Sequence, residues 1–437
     1  MQKQNRVLVI PTNRLCLKAM ESIVNEQLFV EENYLDVAMK YIVIDSSPRD
    51  VSKNNRKLMN KMRENLKNNN IYYFDTDKIN TIYKEIVRAL NIENKEEILQ
   101  LLINNELSYG LAANRLSLIA SLFHADYLHR RDSDVYLQKL DNRQLVKPIE
   151  IEMKYLGKKI SEIDEGIYGK ENYPEDETIY MVGGGYKGNW AVDFEDLART
   201  KMEALVKLLH LVKPLLSYDD VKEIVKKRFI LGSKEMYKKD NVLFTTDNYI
   251  EAGNFSLYKI FKYIPFSPAI ETSGTDYLYH ALLGNLRKPM LYHNRRVIHG
   301  YTPDRKGAEQ TCMYHLRLAM YRCLSRYYML LYKEILRDKN IFMKNELFNH
   351  TVIGKFLIDI SKKDLKREQK EILDAMIDIY KGVNDNKYTI LANNIIKNKD
   401  YIINKSSMDV YNHGILTLQW SNITKFAEEN SRYLLNL

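Results

Sequence analysis

Residues 108–137 read S-Y-G-L-A-A-N-R-L-S-L-I-A-S-L-F-H-A-D-Y-L-H-R-R-D-S-D-V-Y-L. Between residues 114 and 125, apolar side chains recur at the spacing of a buried helix face. We expect a short strand to begin near residue 125, with Asp132 and Asp134 at its carboxyl end. Two carboxylates one residue apart can hold a divalent cation together with water and substrate phosphate. The alternative is a polar turn, because solvated loops often contain this triplet.

Three short apolar runs upstream of this stretch predict strands that are buried on both faces. They are residues 6–10 (R-V-L-V-I), 41–44 (Y-I-V-I) and 71–74 (I-Y-Y-F), and helical patterns separate them. This alternation predicts right-handed βαβ units and an open parallel sheet that binds ligands at its carboxyl edge. Polar residues end the strands: Pro11, Thr12, Asn13 and Arg14 after the first, Asp45 after the second, and Asp75 and Asp77 after the third. Asp45 can accept a hydrogen bond from a base or ribose, whereas an N-cap or turn role is the alternative for Asp45 and is preferred for Asp75 and Asp77.

Composition places the chain among ordinary globular proteins of two or three domains. It has 437 residues, of which 45% are hydrophobic and 28% are charged, and its net charge is 66 − 57 = +9. Every apolar run is too short to span a bilayer, and the first is better explained as a strand than as a secretory signal. Three cysteines without metal-site spacing indicate a reducing cytoplasm. Nucleic-acid binding is not expected, since the basic residues of 53–67 alternate with asparagine along a solvated helix.

A glycine triplet follows the predicted strand at residues 178–182. Gly183, Gly184 and Gly185 permit a close backbone approach, but the Lys-Ser/Thr ending of a phosphate-binding P-loop is missing. One interpretation is a mobile loop beside a bound substrate, with Trp190 stacking on a sugar. A tight hairpin is the equally weighted alternative.

A predicted helix that starts near residue 276 would place Asp276 and His280 one turn apart on one face. Thr275 or Ser273 is expected to cap it. Asp276 is a candidate general base for an acceptor hydroxyl. The alternative is a first-turn aspartate that only favours the helix dipole.

Residues 291–305 combine two histidines with three arginines beside a predicted turn. His299 is a candidate further metal ligand, although a lone histidine is more often structural. Arg295, Arg296 or Arg305 could hold a diphosphate. From residue 306 the pattern becomes helical, and we predict a C-terminal helical domain over 306–437. It would pack on the first domain, bind an acceptor or partner, or support a homo-oligomer.

Taken together, these segments resemble a GT-A-type glycosyltransferase, nearest to the family 2 kind, over about residues 6–305. The resemblance depends on V-L-V-I-P-T-N-R, Y-I-V-I-D-S-S and G-L-A-A-N-R leading to R-R-D-S-D-V-Y-L. It implies a Rossmann-like, mostly parallel sheet with flanking helices over residues 1–305. It also implies a nucleotide-sugar donor, with a UDP-sugar favoured, a hydroxyl acceptor on a small molecule, glycan or protein, and a Mn²⁺ or Mg²⁺ cofactor.

The same resemblance assigns roles residue by residue. The nucleotide would contact Pro11, Thr12, Asn13, Arg14, Asp45, Asn114, Arg115 and Asp132. Asp132 and Asp134 would hold the metal with His299, and Asp276 would be the catalytic base. The candidates for the diphosphate or acceptor are Gly184, Trp190, Arg296 and Arg305.

The chain also departs from that family. Asp45-Ser46-Ser47 only partly matches the usual second-strand ending, and Thr275-Asp276 replaces the usual Glu-Asp pair. No Gln-x-x-Arg-Trp segment follows, which argues against a processive synthase. The alternatives are a nucleotidyltransferase acting on a sugar phosphate, whose glycine-rich loop is missing after the first strand, and a non-catalytic nucleotide-, carbohydrate- or nucleic-acid-binding protein.

Overall fold

The computed structural model describes residues 3–103, 108–188, 192, 194–211, 217–226, 229, 237–245, 250–300, 307–344 and 347–437. Within these residues the strands are β1 (Gln4–Thr12), β2 (Val37–Asp45), β3 (Ile71–Asp75), β4 (Tyr127–Arg131), β5 (Val135–Tyr136), β6 (Gln138–Lys139), β7 (Leu145–Val146), β8 (Met181–Lys187), β9 (Val242–Phe244), β10 (Asn254–Tyr258), β11 (Met290–His299), β12 (Met343–Lys344) and β13 (Leu347–Phe348). The helices are α1 (Leu17–Asn33), α2 (Arg49–Leu66), α3 (Thr76–Ala89), α4 (Lys95–Ile103), α5 (Tyr109–Leu122), α6 (Ile149–Tyr155), α7 (Phe194–His210), α8 (Tyr218–Val225), α9 (Leu278–Asn285), α10 (Ala308–Arg337), α11 (His350–Ser361), α12 (Lys366–Lys381), α13 (Asn386–Glu429) and α14 (Ser431–Asn436).

One large mixed sheet is the centre of the described structure. Its strand order is β3-β2-β1-β4-β10-β8-β11-β5, and β9 pairs with β11. The strands β3, β2, β1 and β4 are parallel, as the sequence predicts, and β11 is parallel to β8. Strand β10 is antiparallel to both of its neighbours, and β5 and β9 are antiparallel to β11. An α/β fold followed by a helical C-terminal region is therefore confirmed, but the sheet is mixed where a mostly parallel one was expected.

Helix α5 lies on the sheet next to β1 and begins five residues earlier than predicted. Ser108 caps it by accepting a hydrogen bond from the Leu111 N–H at 3.1 Å. Twelve of its fourteen residues are buried, because the sheet covers one side and other helices cover the rest. Gly110 is needed in its first turn, since a Cβ there would lie 1.8 Å from the Ser267 carbonyl oxygen.

Gly110→Ala is expected to destabilise the protein by about 2–3 kcal/mol, because the added methyl group overlaps a backbone oxygen and one segment must shift. Helix propensity alone predicts the opposite sign, since alanine is the better helix former by about 1 kcal/mol. Urea unfolding followed by circular dichroism measures the change in midpoint. A midpoint equal to or above that of the wild type would show that the segment at residue 267 can move away from the added methyl group without a loss of stability.

The glycine triplet lies inside β8, so it is neither a mobile loop nor a hairpin. A Cβ at Gly183 would lie 2.6 Å from the Asn254 carbonyl oxygen, and one at Gly184 would lie 2.7 Å from the His293 ring. The glycines therefore let β8 pack closely against neighbouring segments. Glycines within strands often mark such close approaches of the backbone.

The C-terminal helices share a hydrophobic core with the sheet. Val9 of β1, Leu116 of α5, Leu324 of α10 and Trp420 of α13 belong to one cluster of buried side chains. The Trp420 indole also donates a hydrogen bond to the Phe261 carbonyl at 2.8 Å. Helix α13 is continuous over 44 residues. In the described part of the chain, no helix has the length and apolar character needed to cross a membrane.

A network of charges is buried behind β4. Arg131 donates to Glu26 at 2.8 and 3.0 Å and lies 2.9 Å from Glu152, and these three side chains are fully buried. His129 Nδ1 lies 2.7 Å from the other oxygen of Glu152. Because strand residues alternate in direction, Arg130 and Asp132 point to the opposite side from this network.

Candidate functional site

Polar side chains gather where the strand order of the sheet reverses. The chain runs outward from β1 to β2 and β3 and then returns to β4 on the other side of β1. In open α/β sheets, ligands bind in the crevice at the carboxyl ends of the strands at such a point. Arg14 follows β1 here, and Asp132 and Asp134 follow β4.

Asp134, which follows β4, contacts one residue after β1 and one at the end of β11. Its Oδ2 accepts a hydrogen bond from Arg14 Nη1 at 3.3 Å and lies 3.6 Å from His299 Nε2 at the end of β11. Burial alone would raise the pKa of Asp134, but the contacts with His299 and Arg14 outweigh it and lower that pKa. The Tyr186 ring stacks on His299, with centroids 4.9 Å apart. Asp134 is therefore an ionised carboxylate held between two cationic or polar partners.

Asp132 belongs to a second group centred on Arg130. The Arg130 Nε donates to Asp132 at 3.0 Å, and its Nη2 lies 2.9 Å from the same carboxylate. That Nη2 also donates to Asp276 at 3.1 Å. Tyr186 O–H donates to the second Asp132 oxygen at 3.2 Å. A single buried guanidinium thus joins Asp132 to Asp276, which is 144 residues later in the chain.

The electrostatics of this second group follow from its burial. Burial would lower the pKa of Arg130, but the charges of Asp132 and Asp276 outweigh it and raise that pKa. For Asp276, burial raises the pKa above the usual value, the Arg130 charge opposes this shift, and the Asp132 charge adds to it. A carboxyl group with a raised pKa is a better proton acceptor at neutral pH than an ordinary aspartate.

The donor set fits an ion that is held jointly by protein and substrate. Among the described residues, no three His, Cys, Asp or Glu side chains are placed to enclose a metal. Asp134 and His299 present an oxygen and a nitrogen 3.6 Å apart, a separation that two ligands of one ion can have. Mg²⁺ is commonly bound by one or two carboxylates with substrate phosphates and water, whereas a histidine nitrogen suits a transition ion better. Asp132 was also predicted to bind the metal, but its two oxygens accept hydrogen bonds from Arg130 and Tyr186.

Two predicted nucleotide-binding side chains are occupied by protein partners. Buried Asp45 accepts hydrogen bonds from the Ser47 N–H, the Asn55 amide and the Tyr73 hydroxyl at 2.7–2.8 Å. Asn114 is also buried, and both ends of its amide bond to the Phe266 backbone, at 2.7 and 2.9 Å. The structure therefore gives Asp45 and Asn114 roles in joining segments of the fold.

The other predicted nucleotide contacts lie around the end of β1. Arg115 Nη1 donates to Ser46 Oγ at 3.3 Å, directly after β2. Pro11 and Thr12 end β1, and the Thr12 hydroxyl donates to the Arg14 carbonyl at 2.8 Å. Asn13 is exposed and accepts from Arg14 Nε at 3.2 Å. The turn after β1 is thus built to hold Arg14 toward Asp134.

The chain was also compared with known protein families and with curated proteins. Residues 4–434 match a family described as a family of unknown function (DUF6271). The chain belongs to DUF6271. No curated protein matches it. The match extends from β1 to α14, so it includes both the sheet and the C-terminal helices of this DUF6271 member.

The remaining sequence candidates in this DUF6271 chain are dispersed. Gly184 is buried inside β8, and Arg296 on β11 donates to the Tyr292 hydroxyl at 3.4 Å. Trp190 and Arg305 lie outside the described residues. For Asp276, the expected cap by Thr275 or Ser273 is wrong. A 3-10 turn at Thr275–Tyr277 precedes α9, and neither side chain accepts a capping hydrogen bond.

Sequence reasoning missed Arg130 and Tyr186, which complete the Asp132 group. Arg130 could have been found, because it is two residues before Asp132 and therefore on the same side of the strand. Tyr186 had no such signal, since it depends on the glycine triplet being part of a strand.

Proposed function

We propose that this DUF6271 member is a metal-dependent glycosyltransferase of the GT-A kind. It would move a sugar from a nucleotide-sugar, with a UDP-sugar favoured, to a hydroxyl group of an acceptor. The observation that carries the proposal is the meeting of Arg14, Asp134 and His299 at the switch point of the sheet. The parallel strands β3-β2-β1-β4, with the Asp-x-Asp triplet directly after β4, agree with the GT-A resemblance.

In this mechanism, Asp134 and His299 would hold the ion, which would supply positive charge at the departing nucleoside diphosphate. Arg14 adjoins the same carboxylate and is 36% exposed, so its guanidinium can turn toward a phosphate oxygen. A preorganised set of cations at the leaving group is the largest contribution that such a site can make.

Asp276 supplies the base of the proposed reaction. Its carboxylate takes the proton of the acceptor hydroxyl while the new C–O bond forms and the bond from the sugar carbon to the diphosphate oxygen breaks. Arg130 positions this carboxylate, since its guanidinium bonds to Asp276 and Asp132 together. Tyr186, which bonds to Asp132 and stacks on His299, continues this connection to the donor half of the site.

A thermal-shift panel tests the donor assignment. We expect one of the UDP-, GDP-, CDP- and dTDP-sugars to raise the melting temperature by about 2 °C or more with Mn²⁺, because a ligand at a hundredfold excess over Kd contributes about 2.7 kcal/mol. Leaving out Mn²⁺ should remove most of the shift, and the free sugars serve as controls. A flat response to all four donors with Mn²⁺ present would contradict the proposal.

A further inference from the structure

The segment just before β10 brings another buried carboxylate to the candidate site. Asn254, the first residue of β10, pairs with Arg131, the last residue of β4, so the residues before Asn254 lie at the same edge of the sheet as Asp132. Glu251 belongs to this segment and is only 1% exposed. Its backbone N–H donates to the Gly184 carbonyl at 3.0 Å, which fixes it to β8. A buried carboxylate is costly, so its position at this edge needs a physical reason.

Glu251 is tied to the turn that carries the candidate base. The Tyr277 hydroxyl donates to Glu251 Oε2 at 2.7 Å. Tyr277 directly follows Asp276 in the 3-10 turn, and the His280 ring lies 5.2 Å from the Tyr277 ring. The turn is therefore connected to the edge of the sheet through Tyr277 as well as through Asp276, which accepts from Arg130 at 3.1 Å.

The same segment also touches the donor half of the site. The Gly253 N–H donates to the Tyr186 hydroxyl at 2.8 Å, and the Asp132 N–H donates to the Gly253 carbonyl at 3.4 Å. A Cβ at Gly253 would lie 2.5 Å from Asp132 Cγ, so the segment packs directly on this carboxylate. One short stretch of backbone thus contacts Asp132 through Gly253 and holds the turn of the base through Glu251.

The polar groups beside Asp276 differ from Glu251 in their hydrogen bonding. Within the described residues, the Thr275 hydroxyl and Arg130 Nη1 are buried and have no hydrogen-bond partner. Buried polar groups are normally satisfied, so these two groups are available to a substrate hydroxyl or to water. The Glu251 carboxylate, in contrast, already accepts a hydrogen bond from the protein. This difference favours a direct role for Asp276 and an indirect one for Glu251.

We propose that Glu251 is a positioning residue, which holds the Tyr277 hydroxyl and thereby fixes Asp276 for its reaction with the acceptor hydroxyl. This inference rests on the proposed function, because Asp276 is the base only in that reaction. A general base must lie within about 2.6–3.2 Å of the atom whose proton it takes, and a displacement of about 1 Å can lower the rate about a hundredfold. Glu251 acts through Tyr277 and does not take the proton itself.

Tyr277→Phe is the test variant, because it removes only the hydroxyl that Glu251 accepts from. The probes are UDP-, GDP-, CDP- and dTDP-glucose with Mn²⁺ and with water as the acceptor, and release of the nucleoside diphosphate gives kcat and KM. We expect kcat to fall by roughly tenfold to a hundredfold, while KM for the nucleotide-sugar stays within about twofold of the wild-type value.

Tyr155→Phe is the matched control. The Tyr155 hydroxyl donates to the Asp164 carboxylate at 2.7 Å, the same distance as between Tyr277 and Glu251. Tyr155 ends α6, and the nearby Gly157 adjoins the Tyr127 ring at the opposite end of β4. We expect this control to lower the melting temperature about as much as Tyr277→Phe and to leave kcat unchanged.

Glu251→Gln and Glu251→Met separate positioning from direct catalysis. Glutamine keeps an oxygen that can accept from Tyr277, so kcat should stay within about threefold of wild type. Methionine has a similar length but only a weak acceptor, so its kcat should match that of Tyr277→Phe. The double variant of Tyr277→Phe and Glu251→Met should be no slower than either single variant, because both remove the same hydrogen bond. If Glu251→Gln is as slow as Glu251→Met, Glu251 takes the proton itself and the inference is overturned.

An unchanged kcat in Tyr277→Phe also overturns the inference, because the bond to Glu251 would then be purely structural. So does a rise in KM as large as the fall in kcat, or an equal loss of kcat in Tyr155→Phe. With an active wild type, these results leave the proposed function standing. If wild type binds a donor in the thermal-shift panel but releases no nucleoside diphosphate, the inference falls and the donor assignment stands. If no donor binds or reacts, both fall.

Discussion

Asp134→Asn is expected to lower turnover of the nucleotide-sugar by about a thousandfold, which corresponds to about 4 kcal/mol of transition-state stabilisation. The amide keeps the size of the side chain but removes the negative charge that faces both His299 and Arg14. An ion would then lose its anionic ligand at the moment when charge builds on the leaving diphosphate. We expect the Mn²⁺-dependent part of the thermal shift to disappear with the activity.

The fold should tolerate this substitution. The partner Arg14 is 36% exposed, and ion pairs of that kind contribute about 1 kcal/mol or less. Release of the nucleoside diphosphate measures turnover, and circular dichroism measures the melting temperature. Asp141→Asn is the matched control, because Asp141 is an exposed aspartate seven residues later. Full activity in Asp134→Asn would remove the metal from the mechanism, and a large loss of stability would make Asp134 a structural residue.

The sequence predicted the parallel half of the sheet well. The runs at residues 6–10, 41–44 and 71–74 became β1, β2 and β3, each extended by one to five residues. Such strands are buried on both faces, so their apolar character is visible without knowledge of their neighbours. The position of Asp132 and Asp134 directly after β4 could be predicted for the same reason. Asp75 caps α3 by accepting from the Lys78 N–H at 2.9 Å, as expected from its place after a strand.

The second half of the sheet could not be predicted in this way. Strand β10 contains the buried polar residues Asn254 and Ser256, and their hydrogen bonds to neighbouring segments exist only in the folded sheet. The middle of α13 could not be predicted as a helix either. Ser406, Asp409, His413 and Thr417 are buried there, so the apolar periodicity of that helix is broken.

In the candidate site, too, the sequence indicates which residues follow a strand but not which distant segments they contact. Asp45 was predicted from its position at the carboxyl edge and Asn114 from the family resemblance, yet nearby protein groups use the hydrogen-bonding atoms of both. The approach of His299 to Asp134, and of Asp276 to Arg130, joins segments more than 140 residues apart. Residue spacing can propose such partners, but the pairing depends on how β11 and α9 pack against β4.

Arg131→Met is expected to destabilise the protein by about 3–5 kcal/mol, the range found when one partner of a buried ion pair is removed. Arg131 is the cation that contacts both Glu26 and Glu152, and all three side chains are fully buried. Methionine has a similar length but leaves two buried carboxylates without their shared partner. His129 cannot replace the charge at neutral pH, since burial lowers its pKa to about 4 despite the opposing contact with Glu152.

Arg88→Met is the matched control, because Arg88 is 72% exposed and pairs only with Glu85 of its own helix in the described structure. Its effect should stay below about 0.5 kcal/mol. Adding Glu26→Gln to Arg131→Met should recover part of the lost stability, since one of the two uncompensated charges is then removed. Urea unfolding of the three variants and wild type, followed by circular dichroism, gives the free energies. If Arg131→Met is as stable as Arg88→Met, or if Glu26→Gln lowers its stability further, the two carboxylates do not depend on the Arg131 charge.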